Sequence, residues 1–277
     1  MHPILVDFGT HDLPLLGPTH LFLPTYGLLF ATATLVAWWW FLRRTRALHV
    51  DPERAFNLTF YGLLAGLLGA KVTLLLLDWR HYVANPADLL LSIRSAGVLL
   101  GGVAVGAAVF ILYARRHHLP LFPLGDAIAA PLALAQSVGR LGCTAAGCCW
   151  GVELPDHPWW SIVFHDPVAS TQTGVPLGIP LFPSQPLQAL NDLVIAGILT
   201  WLWRRRATLP EGAVFAWYLV LYGVTRAVLE HWRGDVARGL WFGGSLSTSQ
   251  ILAGLAALAG ASLLAWRTRL RQREVRP

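Results

Sequence analysis

Long apolar runs of about 20 residues alternate with short polar connections along almost the whole chain. An α-helix of about that length crosses the hydrocarbon core of a bilayer. The chain is therefore predicted to be an all-α, polytopic membrane protein with about seven transmembrane helices, forming a single domain over residues 1–277. The runs are Leu21–Leu42, Asn57–Asp78, Ala96–Ala114, Leu124–Thr144, Pro186–Trp203, Gly212–Trp232 and Thr248–Trp266. An irregular segment, about residues 145–185, is predicted between the fourth and fifth helices.

Arginines are distributed unevenly between the two sides of this predicted bundle. With the N-terminus outside and the C-terminus inside, the inner connections and tail hold Arg43, Arg44, Arg46, Arg54, Arg115, Arg116, Arg204, Arg205, Arg206, Arg267, Arg269, Arg271, Arg273 and Arg276. The outer connections hold only Arg80, Arg94, Arg233 and Arg238. Because basic loops stay in the cytoplasm, this bias predicts the N-out, C-in orientation.

The composition agrees with a membrane location. Hydrophobic residues make up 55% of the chain and charged residues 13%, against roughly 25% charged in soluble domains. Basic residues that border anionic lipid explain the net charge of +6, so no nucleic-acid partner is expected. The sequence has no phosphate-cradling glycine loop and no soluble cofactor domain, and we expect no cofactor. These features predict a multi-pass protein of a bacterial inner membrane.

Three cations fall inside predicted helices: Lys71, Arg140 and Arg226. At about 1.5 Å per residue they lie roughly 21–24 Å above the inner helix ends, in the outer third of a core about 30 Å thick. Tyr26 enters near the same level. A charge at the bilayer centre costs about 2.5–3.5 kcal/mol, and such residues usually mark function. Arginine matches phosphate with a planar fork of donors, so this level predicts a site for an anionic phospholipid headgroup.

A purely structural interpretation of these charges is also open. Arg226 and Glu230 are four residues apart on one helical face, and Glu230 and Arg233 are three apart, which is typical of structural ion pairs. Lys71 could extend its ammonium group to the interface.

All three cysteines lie in the stretch GRLGCTAAGCCWG, residues 139–151, as Cys143, Cys148 and Cys149. Their spacing differs from the C-x2-C pattern of common zinc sites. Four interpretations stay open. Two of the cysteines form a disulfide, or the three bind a metal with His157 or His165. Alternatively, one is a nucleophile activated by Arg140, or all three are small packing residues.

Five motifs in order along the chain resemble the prolipoprotein diacylglyceryl transferase family. They are TYGLL at 25–29, GDAIAAPLALAQSVGRLG at 125–142, PSQPLQ at 183–188, LYGVTRAVLEHWRGD at 221–235 and LSTSQILAG at 246–254. Enzymes of that family move diacylglycerol from phosphatidylglycerol to the thiol of a lipoprotein's lipobox cysteine and release glycerol phosphate. The resemblance implies a seven-helix N-out fold and the same substrates.

The resemblance also implies roles for individual residues. Arg140 matches the signature arginine that would hold the lipid phosphate or glycerol headgroup. Arg226 and Arg233 match basic positions of the sixth-helix motif, Glu230 matches its acid, and Tyr26 matches the tyrosine of the first helix. With the cysteines added, the candidate catalytic residues are Tyr26, Arg140, Cys143, Cys148, Cys149, Arg226 and Glu230. The candidate phospholipid-binding residues are Gly139, Arg140, Gly142, Gln185, Arg226 and Arg233. No metal ligand is assigned.

Several family positions carry different residues here. The two asparagines and the glutamate that follow the signature arginine are replaced by Cys143, Ala146 and Cys148. Leu100 stands where the family has a histidine proposed as a base. Phe182 and Gln188 replace the histidine and the final glutamate of the HPxQLYE motif. A thiol acceptor needs a base or a thiolate-stabilising group, which must therefore come from other residues.

The leading hypothesis is transfer of diacylglycerol from phosphatidylglycerol, or another anionic phospholipid, to a prolipoprotein cysteine. A first alternative is a membrane thiol or redox enzyme that uses the cysteine cluster on the same scaffold. A second alternative is a lipid-binding protein without catalytic activity.

Overall fold

A computed structural model describes residues 3–13, 17–86, 88–89, 97–235 and 239–275. Most of this structure is helical. The helices are α1 (Thr25–Arg46), α2 (Pro52–Leu77), α3 (Trp79–Ala84), α4 (Leu99–Arg116), α5 (Leu121–Ala146), α6 (Pro167–Thr173), α7 (Ser184–Arg204), α8 (Ala213–Leu229) and α9 (Thr248–Val275). The strands are β1 (Ile4–Leu13), β2 (Gly17–Pro24), β3 (Ile162–Val163), β4 (Pro180–Leu181), β5 (Leu240–Trp241) and β6 (Leu246–Ser247).

The N-terminal strands correct the all-α prediction and the start of the first predicted span. β1 and β2 pair antiparallel, with Ile4 opposite Pro24 and Leu13 opposite Gly17. The run predicted to begin at Leu21 therefore starts in a strand, and α1 begins only at Thr25. Pro24 explains the boundary, because a proline disfavours helical backbone at the residue before it. An apolar run alone does not show where extended chain changes to helix.

Within the described residues, six helices are long and apolar enough to cross a membrane, judged by length and composition. They are Thr25–Arg46, Pro52–Leu77, Leu99–Arg116, Leu121–Ala146, Ala213–Trp232 and Thr248–Arg273. This result confirms a polytopic membrane protein. The predicted fifth span is also a helix, α7, with 21 residues, but polar side chains such as Gln185, Gln188 and Asp192 interrupt its apolar run.

The chain divides into two compact units, one of Leu42–Leu124 and one of Met1–Phe41 with Gly125–Pro277. In the first unit α2 packs on α4 through glycines. A Cβ added at Gly102 would stand 2.8 Å from the carbonyl oxygen of Gly66, and one at Gly106 would stand 3.0 Å from that of Gly62. Small residues let these helix backbones approach closely.

The second unit has its core between α5, α7 and α8. Buried alanines of α5, among them Ala129 and Ala133, pack with Ile195 and Leu199 of α7 and with Tyr218 of α8. Because the alanines are small, the three helices can approach closely around this core.

Asp126 fixes the start of α8 against α5. Its Oδ2 accepts a hydrogen bond from the backbone N–H of Gly212 at 2.7 Å, and its Oδ1 accepts one from Phe215 at 2.9 Å. These contacts satisfy N–H groups that a helix start leaves without intrahelical partners. Asp126, a polar position matched to the family motif, therefore stabilises the helix that carries Arg226.

Gly223 lets α8 pack directly on α9. A Cβ at this position would overlap the carbonyl oxygen of Ala253 and stand 2.8 Å from the backbone nitrogen of Ala257. We expect Gly223→Ala to lower the free energy of unfolding by about 1–3 kcal/mol, because backbone atoms cannot rotate away as a side chain can. Thermal unfolding of the detergent-purified protein, followed by tryptophan fluorescence, measures the change.

Gly254 is the matched control for this substitution. No described atom lies within 4 Å of a Cβ added there, so Gly254→Ala should leave stability unchanged or raise it by up to about 1 kcal/mol. Equal destabilisation by both substitutions would contradict the close contact between α8 and α9.

The segment between α5 and α7 was predicted to be irregular, but it contains regular structure. β3 pairs antiparallel with β4, and α6 lies between them in sequence. Phe164, Val175 and Leu181 form a small buried core for this segment. The segment is therefore packed and can hold the residues that follow α5 in fixed positions.

Candidate active site

The site is built at the end of α5, where the three cysteines are brought together by a turn. Gly147 adopts a left-handed backbone with φ of 78°, which ends the helix. The backbone N–H groups of Gly147 and Cys148 both donate to the carbonyl oxygen of Cys143, at 2.9 and 3.2 Å. This reversal returns the chain to the last helical turn, so that Cys148 and Cys149 lie beside Cys143.

The sulfur atoms of Cys143, Cys148 and Cys149, here called the cysteine cluster, all lie within 4.8 Å of one another. All three are free thiols, and Cys143 is 9% exposed. Cys149 has a φ of 61°, a left-handed conformation that costs a residue with a side chain about 1–3 kcal/mol. Such strain persists only where surrounding contacts impose it.

The start of α7 supplies contacts that hold the cluster. Ser184 Oγ donates to the carbonyl oxygen of Cys149 at 2.9 Å, and Gln185 Nε2 donates to that of Cys148 at 3.0 Å. Ser184 and Gln185 are both buried. Gln185, predicted as a phospholipid-binding residue, thus uses its amide N–H to position the cysteine loop.

A buried ion network lies at the end of α8. Arg226 Nη2 contacts Glu230 Oε2 at 2.7 Å, and Arg233 Nη1 contacts the same oxygen at 3.6 Å, which confirms both predicted spacings as ion pairs. Ser247 Oγ donates to Glu230 Oε1 at 3.0 Å, and Arg233 Nη2 donates to Asp235 Oδ2 at 2.7 Å. Glu230 is only 1% exposed, so its charge is held entirely by protein groups.

Arg226 keeps donor capacity beyond these contacts. Its Nη2 donates to Ser249 Oγ at 3.3 Å as well as pairing with Glu230. Its Nη1 is buried and has no hydrogen-bond partner within the described part of the chain. A buried guanidinium nitrogen without a partner is costly, and an anionic ligand would satisfy it.

Backbone pairing joins this network to the cysteine cluster. Val152 N donates to the carbonyl oxygen of Trp232, and Gly234 N donates to that of Trp150, both at 2.9 Å. Gly151 and Gly234 lie at this contact, and the close backbone approach requires glycine at both positions. A Cβ at Gly151 would overlap the backbone of Phe182, and one at Gly234 would overlap Gly151.

The pairing sets Arg233 against the cluster. Arg233 Nη2 lies 3.4 Å from the sulfur of Cys149.

Arg140 lies one helical turn before Cys143, and its charge acts on the cysteine cluster and on the ion network at the end of α8. Asp192 of α7 is a buried carboxylate whose charge interacts with Arg140 and Arg226. The charges of Arg140, Arg226 and Asp192 therefore act on one another.

Tyr26 packs on the same turn of α5. A Cβ added at Gly142 would stand 3.1 Å from Tyr26 Cδ2, so only glycine leaves this space for the ring. Tyr26 also interacts electrostatically with Arg140 and with the cysteine cluster. Gly139 is different, because no described atom lies within 4 Å of a Cβ built there. The helix surface at Gly139 therefore borders open space, whereas Cys143, four residues later, is buried.

The two thiols that follow the membrane-spanning helix α5, Cys148 and Cys149, differ in acidity. Hydrogen bonds from Cys143 and Cys148 lower the pKa of the Cys149 thiol, and the charges of Arg233 and Arg140 act in the same direction, against burial. Hydrogen bonds to the other two thiols, together with burial, raise the pKa of Cys148. Of these two thiols, Cys149 is therefore the one that more readily carries negative charge.

No contact with the cysteine cluster or the ion network is described for the other residues that the sequence singled out. Glu153, His157 and His165 are exposed, and neither histidine joins the sulfur cluster within the described residues. Lys71 and Leu100 belong to the unit of Leu42–Leu124, and Arg94 and Arg238 lie outside the described residues.

Two residues at positions that differ from the family are buried or packed against aromatic rings. Phe182 stacks on Trp232 with ring centroids 5.8 Å apart and meets Trp160 edge-on at 5.9 Å. Gln188 is buried in α7. Aromatic stacking at Phe182 thus stabilises the pairing that carries Arg233.

Asp192 and Asp235 lie beside the candidate residues but were not predicted as part of the site. Asp192 lies within a run predicted as a span, and a carboxylate there is itself a functional signal in a membrane helix. Asp235 stands two residues after Arg233, a separation at which an extended chain places both side chains on one face. Both signals were therefore present in the sequence.

Comparison with known proteins agrees with the motifs. The family model of prolipoprotein diacylglyceryl transferase matches residues 16–266. The phosphatidylglycerol–prolipoprotein diacylglyceryl transferase of Clostridium tetani is 30% identical over 229 residues, which cover 82% of this chain and 86% of that protein. The enzyme of the same name in Ralstonia pickettii is 32% identical over an alignment of 292 positions, which covers 93% of this chain and 94% of that protein.

Proposed function

Because this chain belongs to the prolipoprotein diacylglyceryl transferase family, we propose that it transfers diacylglycerol from phosphatidylglycerol to the cysteine thiol of a prolipoprotein. The observation that carries the proposal is the pairing of Arg226 and Arg233 with one buried carboxylate oxygen of Glu230, with Arg233 also 3.4 Å from the sulfur of Cys149. This combination supplies both a phosphate site and a cationic environment for a sulfur nucleophile.

In the membrane, we propose one domain with seven spans, N-out and C-in, in the bacterial inner membrane. α7 supplies the seventh span, since 21 residues extend about 31 Å. Its polar residues Gln185, Gln188 and Asp192 are all buried against protein, where a membrane helix tolerates them. The arginine bias then puts the end of α8 on the extracytoplasmic side.

The phosphodiester of phosphatidylglycerol fits the arginines. Arg140 and Arg226 would bind its oxygens, and Arg226 Nη1 offers donors with no partner in the described structure. As the acceptor sulfur attacks the glycerol carbon, the carbon–oxygen bond to phosphate breaks and charge grows on the departing glycerol phosphate. Donors already fixed around that charge lower the barrier, and each raises the rate by a factor of about 10²–10³.

Glu230 and Tyr26 serve mainly to position these groups. The carboxylate of Glu230 contacts Arg226, Arg233 and Ser247, and so it fixes the positions of both guanidinium groups. Tyr26 packs on Gly142 beside Arg140 and restricts where the headgroup lies.

A transfer assay tests the proposal directly. The purified protein is incorporated into phosphatidylglycerol vesicles and incubated with a lipobox peptide that contains one cysteine. We expect mass spectrometry to show a diacylglyceryl thioether on the peptide and an equal amount of released glycerol phosphate. The same peptide with serine for cysteine, and vesicles of phosphatidylcholine, are the controls.

An intact, lipid-binding protein that forms no thioether would overturn the proposal and favour a lipid-binding role. An activity that needs Cys148 but no lipoprotein acceptor would favour a thiol enzyme instead.

A further inference from the structure

The cysteine cluster has the dimensions of a metal site. The three sulfurs lie within 4.8 Å of one another. Zinc–sulfur bonds of about 2.3 Å would put the sulfurs of a tetrahedral site roughly 3.8 Å apart. A contraction of about 1 Å therefore suffices, and rotation of the cysteine side chains provides it. The cluster is the only group of three or more metal-ligand side chains within the described ranges.

The surrounding charge suits an anionic metal–thiolate complex. Three thiolates and one Zn²⁺ carry a net charge of −1. Arg233 Nη2 lies 3.4 Å from the sulfur of Cys149, and Arg140 interacts with the cluster from the preceding helical turn. Hydrogen bonds from such neighbours orient metal ligands and tune the metal. The cations would therefore stabilise the bound complex rather than repel it.

The ligand number points to an exchangeable position. In the described chain no histidine or carboxylate joins the three sulfurs as a fourth ligand. Structural zinc sites close all four positions, whereas catalytic sites use three protein ligands and leave the fourth for a water or substrate. Cys148 and Cys149 are partly exposed, which gives an incoming ligand access to the cluster.

We propose that Cys143, Cys148 and Cys149 bind Zn²⁺ and that its fourth position takes the acceptor thiol of the prolipoprotein. This inference rests on the proposed transfer function. Coordination removes the thiol proton to water, and the zinc-bound sulfur then supplies the electron pair for the new carbon–sulfur bond. The broken carbon–oxygen bond leaves its pair on glycerol phosphate, and the neutral thioether, a weaker ligand, dissociates from the metal.

This assignment gives the departures from the family pattern a common explanation. Leu100 provides no base, and Cys143 and Cys148 stand where the family has amide and carboxylate side chains. A thiol bound to zinc is deprotonated without a histidine. The spacing C-x4-C-C predicts no zinc site from sequence, because it is the left-handed turn at Gly147 that brings the sulfurs together.

Metal binding is tested without any substrate. The full-length protein is purified in detergent with reductant, saturated with Zn²⁺, desalted and analysed for bound metal. We expect about one zinc per chain, lost from the triple Cys→Ser variant and weakened at least about tenfold in each single Cys→Ser variant. Ala145→Ser, which leaves the three thiols in place, should keep the metal. Gel filtration checks folding, and Cys→Ala variants replace any serine variant that fails.

Substitution of Co²⁺ for Zn²⁺ tests the fourth position. Thiolate ligands give tetrahedral Co²⁺ intense absorption bands that report their number. We expect the bands to strengthen on addition of a lipobox peptide with cysteine and to stay constant with the serine peptide. Absence of metal from the reduced wild-type protein, metal retained by the triple variant, or bands unchanged by the cysteine peptide would each overturn the inference.

The two proposals can fail separately. Diacylglyceryl transfer by a protein that holds no metal would overturn the zinc site and leave the transfer function intact. Zinc binding together with a cysteine-dependent Co²⁺ change, but without thioether formation, would support the metal site and contradict the transfer.

Discussion

Replacing Arg140 with lysine is expected to lower kcat/KM for diacylglyceryl transfer by about 10²–10³-fold. Lysine keeps the positive charge near the cysteine cluster but loses the planar fork that binds two phosphate oxygens at once. The substitution therefore tests the planar geometry of the guanidinium group separately from its positive charge. It is measured in phosphatidylglycerol vesicles with a cysteine lipobox peptide, and thermal unfolding confirms that the variant is folded.

Arg269→Lys is the matched control for this substitution. Arg269 is exposed near the end of α9, so the same change of side chain should leave transfer unaffected. Wild-type activity in Arg140→Lys would show that a point charge suffices and would contradict the proposed phosphate clamp.

Replacing Glu230 with glutamine is expected to lower the free energy of unfolding by about 3–5 kcal/mol. Glutamine keeps the shape and can still accept the hydrogen bond from Ser247. It removes the negative charge shared by Arg226 and Arg233, and it leaves two buried guanidinium groups without that compensation. Chemical unfolding in detergent micelles measures the effect.

Glu211→Gln provides the comparison at the surface. Glu211 pairs with Arg267 at 3.3 Å, but its side chain is 64% exposed, and water replaces the lost interaction. We expect a cost of about 0–1 kcal/mol. Equal effects at Glu211 and Glu230 would show that burial of the Glu230 network contributes little to stability.

The membrane helices could be predicted because the bilayer imposes one length and one polarity on each. The predicted run Leu124–Thr144, for example, lies within the observed helix Leu121–Ala146. The N-terminal hairpin could not be predicted in this way, since Leu21 and Leu23 are apolar in strand and helix alike. Hydrophobicity does not distinguish the two states over a few residues.

The part of the site that lies within one helical segment could be predicted from residue spacing. The Arg226–Glu230 pair follows from helical periodicity within one segment, so its spacing was sufficient. Contact between Arg233 and Cys149 depends on backbone pairing between distant segments and on a turn at Gly147, which local spacing does not encode. The convergence of the sulfurs is likewise a property of the folded chain.

Ribosomes deliver the residues of a membrane protein in order, and early segments fold while later ones are still being made. The stretch after α5 pairs with residues 232–234, which are synthesised much later. A nascent chain that stops before Gly234 already contains all three thiols. It lacks the backbone hydrogen bond from Gly234 to Trp150 that helps to hold Arg233 beside Cys149. The contact between Arg233 and Cys149 therefore forms only late in synthesis. We expect C-terminally truncated chains to contain the three thiols without this arginine contact.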